Sequence, residues 1–355
     1  MREHEMEKIG SLVQEGKVKA IGRCQEGENL YVFWTGSGIA FTTDATDVSV
    51  TVDAHYENLE IWVDILIDGE LSQRRMLDPG ENRICILRHM ELRKKREIRI
   101  IRSSQAMSDD TVSYLSFETI EYNGTIEKPQ DKPLLLEFIG DSITSGEGAG
   151  LEKQEDWVPA VFSACNTYAY LTAKKLGADY SILSQSGWGL YASWDGDYTK
   201  VLPAYYRQVA GLCKGHANEK AGAGLTWDFS RREPEVIVVN LGTNDDGAMT
   251  NVASDKAAFL EGFVKAGVAF LKTLRDCNPH AELIWAYGMM GVGVLPGIEK
   301  AIELYQAETG DNKVSFFQMP ACQGEDLGAR MHPTLSGHEK AAEALATYIK
   351  ERLEK

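Results

Sequence analysis

The chain is short of basic charge relative to acidic charge, and it has few cysteines. Its 37 Lys and Arg face 53 Asp and Glu, a formal net charge of −16 over 355 residues. A chain that acidic is a poor electrostatic partner for nucleic acid or an anionic membrane, so neither is an expected partner. The one basic run, Arg93-Lys94-Lys95-Arg96, lies beside Glu91 and Glu97 and reads as a solvated turn. Long apolar runs are missing too, and a membrane-spanning helix would need about 18 such residues in a row. The stretch Met1–Lys8 is charged and lacks the apolar centre of a secretion signal, so a cytoplasmic location is expected. The six cysteines (Cys24, Cys85, Cys165, Cys213, Cys277 and Cys322) show no Cys-x-x-Cys and no paired spacing. That argues against a disulfide framework and for reduced thiols. His4, His55, His89, His216 and His280 share no ligand spacing, so no metal is expected. Gly140, Gly146 and Gly148 are not followed by Gly-Lys-Ser/Thr, which removes the phosphate-loop reading; no cofactor is expected.

What is present divides into two halves of different periodicity. Residues 30–122 alternate with period two. Val48, Val50 and Val52 form one such row, and Leu59, Ile61, Val63, Ile65 and Ile67 another. This pattern marks strands with one buried face, and Asp68-Gly69 and Pro79-Gly80 punctuate them as turns. Seven or eight short strands with almost no helical signal imply an antiparallel β-sandwich over residues 1–125. The first 17 residues fit either a short helix or an added edge strand. Residues 126–133, with Pro129 and Pro133, read as a linker. From residue 134 to 355 strands alternate with helices, which predicts a parallel sheet covered on both faces, an α/β domain. Expected helices include 166–176 capped by Asn166, 257–274, 297–309, and 336–353 opened by a Ser336/Glu339 capping box.

The chemistry is concentrated after the strands of this second half. Leu134-Leu135-Leu136-Glu137-Phe138 leads into Ile139-Gly140-Asp141-Ser142-Ile143-Thr144-Ser145-Gly146. A serine at a tight turn on the carboxyl end of a parallel strand is a candidate nucleophile. Serine is weak at neutral pH and needs a base and oxyanion donors. The loop Ser184-Gln185-Ser186-Gly187-Trp188-Gly189 offers a backbone N–H that a ligand can approach. Leu241-Gly242-Thr243-Asn244 offers a neutral amide donor. Met331-His332-Pro333 places a histidine before the last helix, with its backbone biased away from helix by the proline.

Four pieces in this order resemble the SGNH/GDSL hydrolase superfamily, over roughly residues 134–355. The resemblance implies a flavodoxin-like α/β/α sandwich with Ser142 as nucleophile and His332 as general base. It assigns the oxyanion donors to the N–H of Ser142, the N–H of Gly187 and the amide of Asn244. A jelly-roll-like domain ahead of such a domain is similar to carbohydrate esterase family 2, which removes O-acetyl groups from xylan and glucomannan. With a cytoplasmic location, an acetylated oligosaccharide is the expected substrate, because polymer does not enter cells.

One position departs from the superfamily pattern. An aspartate three residues before the histidine ordinarily holds the imidazole, and here that residue is Ala329. Three readings stay open: a backbone carbonyl orients His332 in a Ser–His dyad, as in some members of family 2; Asp326, or Glu325, loops back into the role; or the site is crippled. The first leads, because an orienter can be neutral. Asp141 reads as an anchor for the turn, His338 as a packing residue, and Asp245 and Asp246 as loop-ordering groups. Trp188, Tyr191 and Trp194 are candidates for a sugar-stacking platform, with packing as the competing role. A lipolytic esterase or thioesterase, or a catalytically degenerate carbohydrate-binding protein, are the alternative functions. Oligomeric state is not legible.

Overall fold

The computed structural model describes residues 5–151 and 157–354. The chain forms two compact units. The first comprises residues 1–131, 158–160 and 208–226, and the second residues 132–157, 161–207 and 227–355.

The first unit is an antiparallel β-sandwich of two six-stranded sheets. One sheet runs in the order Cys24–Glu26, Leu30–Val32, Tyr114–Tyr122, Val48–His55, Gly80–Leu87, with Glu5–Lys8 also paired to Tyr114–Tyr122. The other runs Ile126–Glu127, Gly38–Thr43, Arg96–Arg102, Trp62–Ile67, Glu70–Met76, with Lys19–Ile21 on Gly38–Thr43. The alternating apolar rows meet between the sheets: Val48, Val50, Val52, Ile61, Val63, Ile65, Ile98, Ile100 and Phe117 are all buried in one core. The opening residues are both things at once, the edge strand Glu5–Lys8 and the helix Ile9–Gln14. Glu70–Met76 has no alternation to announce it, because it is a mostly exposed edge strand. It is joined to Trp62–Ile67 through Asp68 and Gly69, both at positive φ, the two-residue turn that matches strand twist. Part of the expected linker is strand, since Ile126 and Glu127 pair with Thr43 and Thr42. Residues 208–226 pack with this unit, although they fall between two strands of the other. Trp34 donates from Nε1 to the Val209 carbonyl at 2.7 Å, and the Cys213 thiol faces the Ala106 carbonyl.

The second unit is a five-stranded parallel sheet in the order Asp179–Ser184, Leu135–Gly140, Val236–Asn240, Glu282–Tyr287, Val314–Gln318. In chain order this is 2-1-3-4-5, the flavodoxin-like arrangement. The central strands Leu135–Gly140, Val236–Asn240 and Glu282–Tyr287 are almost entirely buried, as a sheet covered on both sides requires. Helices Tyr168–Leu176 and Leu335–Leu353 pair with each other, as do Lys256–Cys277 and Leu295–Thr309. Their ends follow local chemistry. Thr167 caps the first through its side chain and Gly177 closes it at φ 60°, so the cap is one residue beyond the expected Asn166. Asp255 caps Lys256–Cys277 by accepting from Ala257 and Ala258. The closing helix has no capping box. Its N-cap stands two residues earlier than expected, at Thr334, so Ser336 lies inside the first turn, where its hydroxyl donates to Asp326.

The topological switch of a 2-1-3-4-5 sheet lies between its first and third strands, and ligands bind at the carboxyl ends there. Ser142, Gly187 and Asn244 follow the first, second and third strands of this sheet.

Candidate active site

The strand Leu135–Gly140 delivers Asp141 and Ser142 to the carboxyl edge. Asp141 caps the single-turn helix Ser142–Ser145, its Oδ1 accepting the Ile143 N–H at 3.0 Å. A Cβ at position 140 would lie 2.0 Å from Thr144 Oγ1, so the strand can turn this closely into the helix only with glycine. Ser145 Oγ donates to Ser184 Oγ at 2.8 Å, which ties the turn to the neighbouring strand end.

His332 comes from the loop before the closing helix. Its Nε2 lies 2.8 Å from Ser142 Oγ. Its Nδ1 lies 2.8 Å from the carbonyl oxygen of Arg330. A carbonyl only accepts, so Nδ1 carries the proton and Nε2 presents its lone pair to the serine hydroxyl. That is the tautomer a general base needs. The loop reaches this geometry through two consecutive left-handed residues, Arg330 at φ 54° and Met331 at φ 61°. Each costs about 1–2 kcal/mol for a residue with a Cβ, so surrounding contacts must hold them.

Asp326 does not face His332. Its carboxylate takes Lys340 Nζ at 2.8 Å and Ser336 Oγ at 2.9 Å, and Lys340 holds it below the usual carboxylate range. The closing helix therefore claims the carboxylate that the sequence offered as an orienter. The Glu325 carbonyl accepts from Thr334 Oγ1. Ala329 is fully buried.

Gly187 sits at φ 78° in the loop after Asp179–Ser184. Asn244 lies in the first turn of the helix Thr243–Asn251. Its Nδ2 donates to the Trp188 carbonyl at 2.9 Å and reaches Asp141 Oδ2 at 3.3 Å. The amide is thereby fixed between the nucleophile turn and the glycine loop. Asp245 is buried and accepts the N–H groups of Leu190, Tyr191 and Ala192 at 2.7–3.0 Å. Asp246 takes the Gly293 N–H at 2.8 Å and the Tyr287 hydroxyl. Both order loops, as expected. Burial pushes Asp141 up to about 7 and Asp245 up to about 6, the second opposed by its three backbone donors. His338 is fully buried, accepts the Tyr168 N–H at Nδ1, and burial pushes it down to about 3, so it stays neutral.

The three aromatic candidates separate. Trp188 is buried with its ring 5.6 Å from Tyr205. Tyr191 packs on Phe259 and Tyr198, at 5.1 and 5.0 Å between ring centres. Both rings make packing contacts, the competing role that the sequence left open. Trp194 is 62 % exposed, and its N–H donates to the Gly187 carbonyl at 3.1 Å.

One residue escaped the sequence reading. Glu147 lies in Gly146-Glu147-Gly148 directly after the nucleophile turn and is buried. Its Oε1 takes Arg330 Nε at 2.5 Å, its Oε2 takes Ser186 Oγ at 2.7 Å, and Oε2 lies 3.8 Å from His332 Nε2. The one available signal was a charged residue between two glycines beside the nucleophile. Among the described residues no three His, Cys, Asp or Glu side chains converge as a metal cage, and no helix is long and apolar enough to cross a membrane. None of the six cysteines is joined in a disulfide.

Known proteins share this architecture. Residues 138–340 match the model of the GDSL-like lipase/acylhydrolase family. The structure of an acetyl xylan esterase from the rumen bacterium Butyrivibrio proteoclasticus superposes with a TM-score of 0.94 at 36 % identity, covering 99 % of each chain. An acetylxylan esterase/glucomannan deacetylase of Cellvibrio japonicus is 25 % identical over 94 % of this chain and 88 % of its own length. The cellulase/esterase CelE of Acetivibrio thermocellus is 26 % identical over 90 % of this chain, which spans 37 % of that longer protein. The chain belongs to the GDSL-like lipase/acylhydrolase family, and over 95 % of its length it is similar, at 25 % identity and a TM-score of 0.76, to a family 2 carbohydrate esterase of Corynascus thermopiles.

Proposed function

We propose that this protein is a cofactor-free serine esterase that removes O-acetyl groups from plant-type carbohydrate, with acetylated xylan and mannan oligosaccharides as substrates. The observation that carries this reading is the 2.8 Å contact between Ser142 Oγ and His332 Nε2 in the chain's hydrolase unit. The likeness to acetyl xylan esterase and glucomannan deacetylase supports the choice of ester. The cytoplasmic location expected from the sequence belongs to the same proposal, and it makes oligosaccharide rather than polymer the substrate.

In the proposed reaction Ser142 Oγ attacks the acetyl carbonyl carbon while His332 Nε2 takes the hydroxyl proton. The developing oxyanion is held by the N–H groups of Ser142 and Gly187 and by the Asn244 amide. The Arg330 carbonyl keeps the Nδ1 proton of the imidazolium in place. Collapse breaks the bond to the sugar oxygen, which takes the proton from His332 and leaves as a free hydroxyl. Water, deprotonated by the same imidazole, then attacks the acetyl-enzyme, and acetate leaves as Ser142 recovers its proton. Both half-reactions balance without a cofactor.

The test is acetate release from acetylated xylan and glucomannan oligosaccharides, run beside acetyl and long-chain nitrophenyl esters. The proposal expects turnover of the acetylated sugars and a steep fall with acyl length. Preference for long acyl chains would favour a lipolytic enzyme. Absence of turnover on every ester, with sugar binding retained, would favour a carbohydrate-binding protein.

A further inference from the structure

We propose that Glu147 is a positioning residue of the dyad, which together with Arg330 does the work of the carboxylate that Ala329 replaces. The inference rests on the reading of Ser142 and His332 as nucleophile and base. Glu147 is tied to the nucleophile turn, to the glycine loop and to the histidine loop. Its backbone N–H donates to the Ser142 carbonyl at 3.0 Å. Through Oε2 it takes the Ser186 hydroxyl at 2.7 Å, one residue before the proposed oxyanion donor Gly187. Through Oε1 it takes Arg330 Nε at 2.5 Å, and Arg330 is the residue whose carbonyl holds His332 Nδ1.

The need for such an anchor follows from the backbone. Arg330 and Met331 stand in the left-handed region, where neither residue type rests unaided. An exposed arginine would gain little from a surface ion pair, but this one meets a carboxylate whose side chain is only 4 % exposed. A buried carboxylate left without its cation carries a large desolvation cost, so the pair resists separation. The pair therefore holds the Arg330 carbonyl toward the imidazole. The next residue, Gly148, removes any side chain from this contact. At its φ of 85°, a Cβ would lie 2.8 Å from the His332 Cβ. Glu147 also supplies charge. Its Oε2 lies 3.8 Å from His332 Nε2, which places a carboxylate beside the nitrogen that takes the Ser142 proton. A triad aspartate does both tasks from the Nδ1 side. Here a neutral carbonyl orients that side and the carboxylate lies near the other nitrogen.

The experiment compares wild type with Glu147→Gln, Arg330→Ala, Arg330→Lys, Ser186→Ala and the double variant E147Q/R330A. Hydrolysis of 4-nitrophenyl acetate, phosphonate labelling of Ser142, and the low-field proton resonance of His332 Nδ1–H are read in each. Misplacing a catalytic group by an ångström costs about a hundredfold. Glu147→Gln and Arg330→Ala are each expected to lower kcat by about tenfold to a hundredfold, with KM within about twofold and the Nδ1–H resonance displaced or broadened. Arg330→Lys should recover part of the loss, and the double variant should cost no more than the worse single one, because the two act as a unit. If Glu147→Gln does not fold, Ser186→Ala and Arg330→Lys read the same network and should show smaller losses in the same direction. Unchanged kcat with an unmoved resonance, or single losses that multiply in the double variant, would overturn the inference. A wild type that hydrolyses no ester and leaves Ser142 unlabelled would instead refute the esterase reading, while the resonance would still test the positioning.

Discussion

The Nδ1 of His332 points at the carbonyl oxygen of Arg330, 2.8 Å away and two residues back in its own chain. The imidazole proposed as the base is thus oriented by its own loop, which passes through two left-handed residues, Arg330 and Met331. Removal of the base should expose how much this arrangement contributes. His332→Ala is expected to lower kcat by about 10³-fold or more while Ser142 stays in place, read by ester hydrolysis and by loss of phosphonate labelling.

The Asn244 amide is held by the Trp188 carbonyl and faces Asp141. Asn244→Ala is expected to lower kcat by about 10²–10³-fold with little change in KM, because an oxyanion donor acts on the transition state rather than on the bound ester. A change confined to KM would remove Asn244 from that role.

Trp194 is the one exposed member of the three aromatic candidates. Trp194→Ala is expected to raise KM for an acetylated oligosaccharide about fivefold, several times more than for 4-nitrophenyl acetate. Trp188→Ala and Tyr191→Ala are expected to lower the melting temperature instead, since their rings fill packed positions. Equal effects of Trp194→Ala on both substrates would leave no sugar platform there.

Burial sets a pH signature behind the site. Asp141 titrates at about 7 and Asp245 at about 6 in the folded protein, against roughly 4 in the unfolded chain. Between about pH 4 and 7 the folded state holds protons that the unfolded state has released, so these groups make stability fall as pH rises. His338 acts in the opposite sense. Its folded value of about 3 lies below the unfolded value of roughly 6.5, so the stability of its neutral form is lost as pH falls through that window. Asp141→Asn deletes one acidic contribution. The difference in melting temperature, variant minus wild type, should become more positive by several degrees between pH 5 and 8. A flat difference would mean that Asp141 is not held protonated by burial.

The strands and helices with clear periodicity were legible because each has one apolar face. Val48–His55 and Lys256–Cys277 are examples. Glu70–Met76 was not legible, because an exposed edge strand carries no such row. Ser142, His332, Gly187 and Asn244 could be singled out as candidates because each follows a strand end in order. What orients His332 was not, because a carbonyl belongs to every residue and left-handed Arg330 and Met331 leave no mark in composition. Residues 208–226 were likewise assigned by chain order, whereas their placement depends on long-range bonds such as Trp34 to Val209. Glu147 was not legible because its partners lie 39 and 183 positions away in the chain.

The measurement that tests the account most directly is acetate release from acetylated xylan and glucomannan oligosaccharides by wild type, Ser142→Ala and Asp326→Ala. Asp326 is engaged by Lys340 and Ser336, away from the imidazole. The account expects Asp326→Ala to keep kcat within about threefold of wild type and Ser142→Ala to lose about 10³-fold or more. A thousandfold loss in Asp326→Ala, or turnover surviving in Ser142→Ala, would contradict a Ser142–His332 dyad oriented by the Arg330 carbonyl.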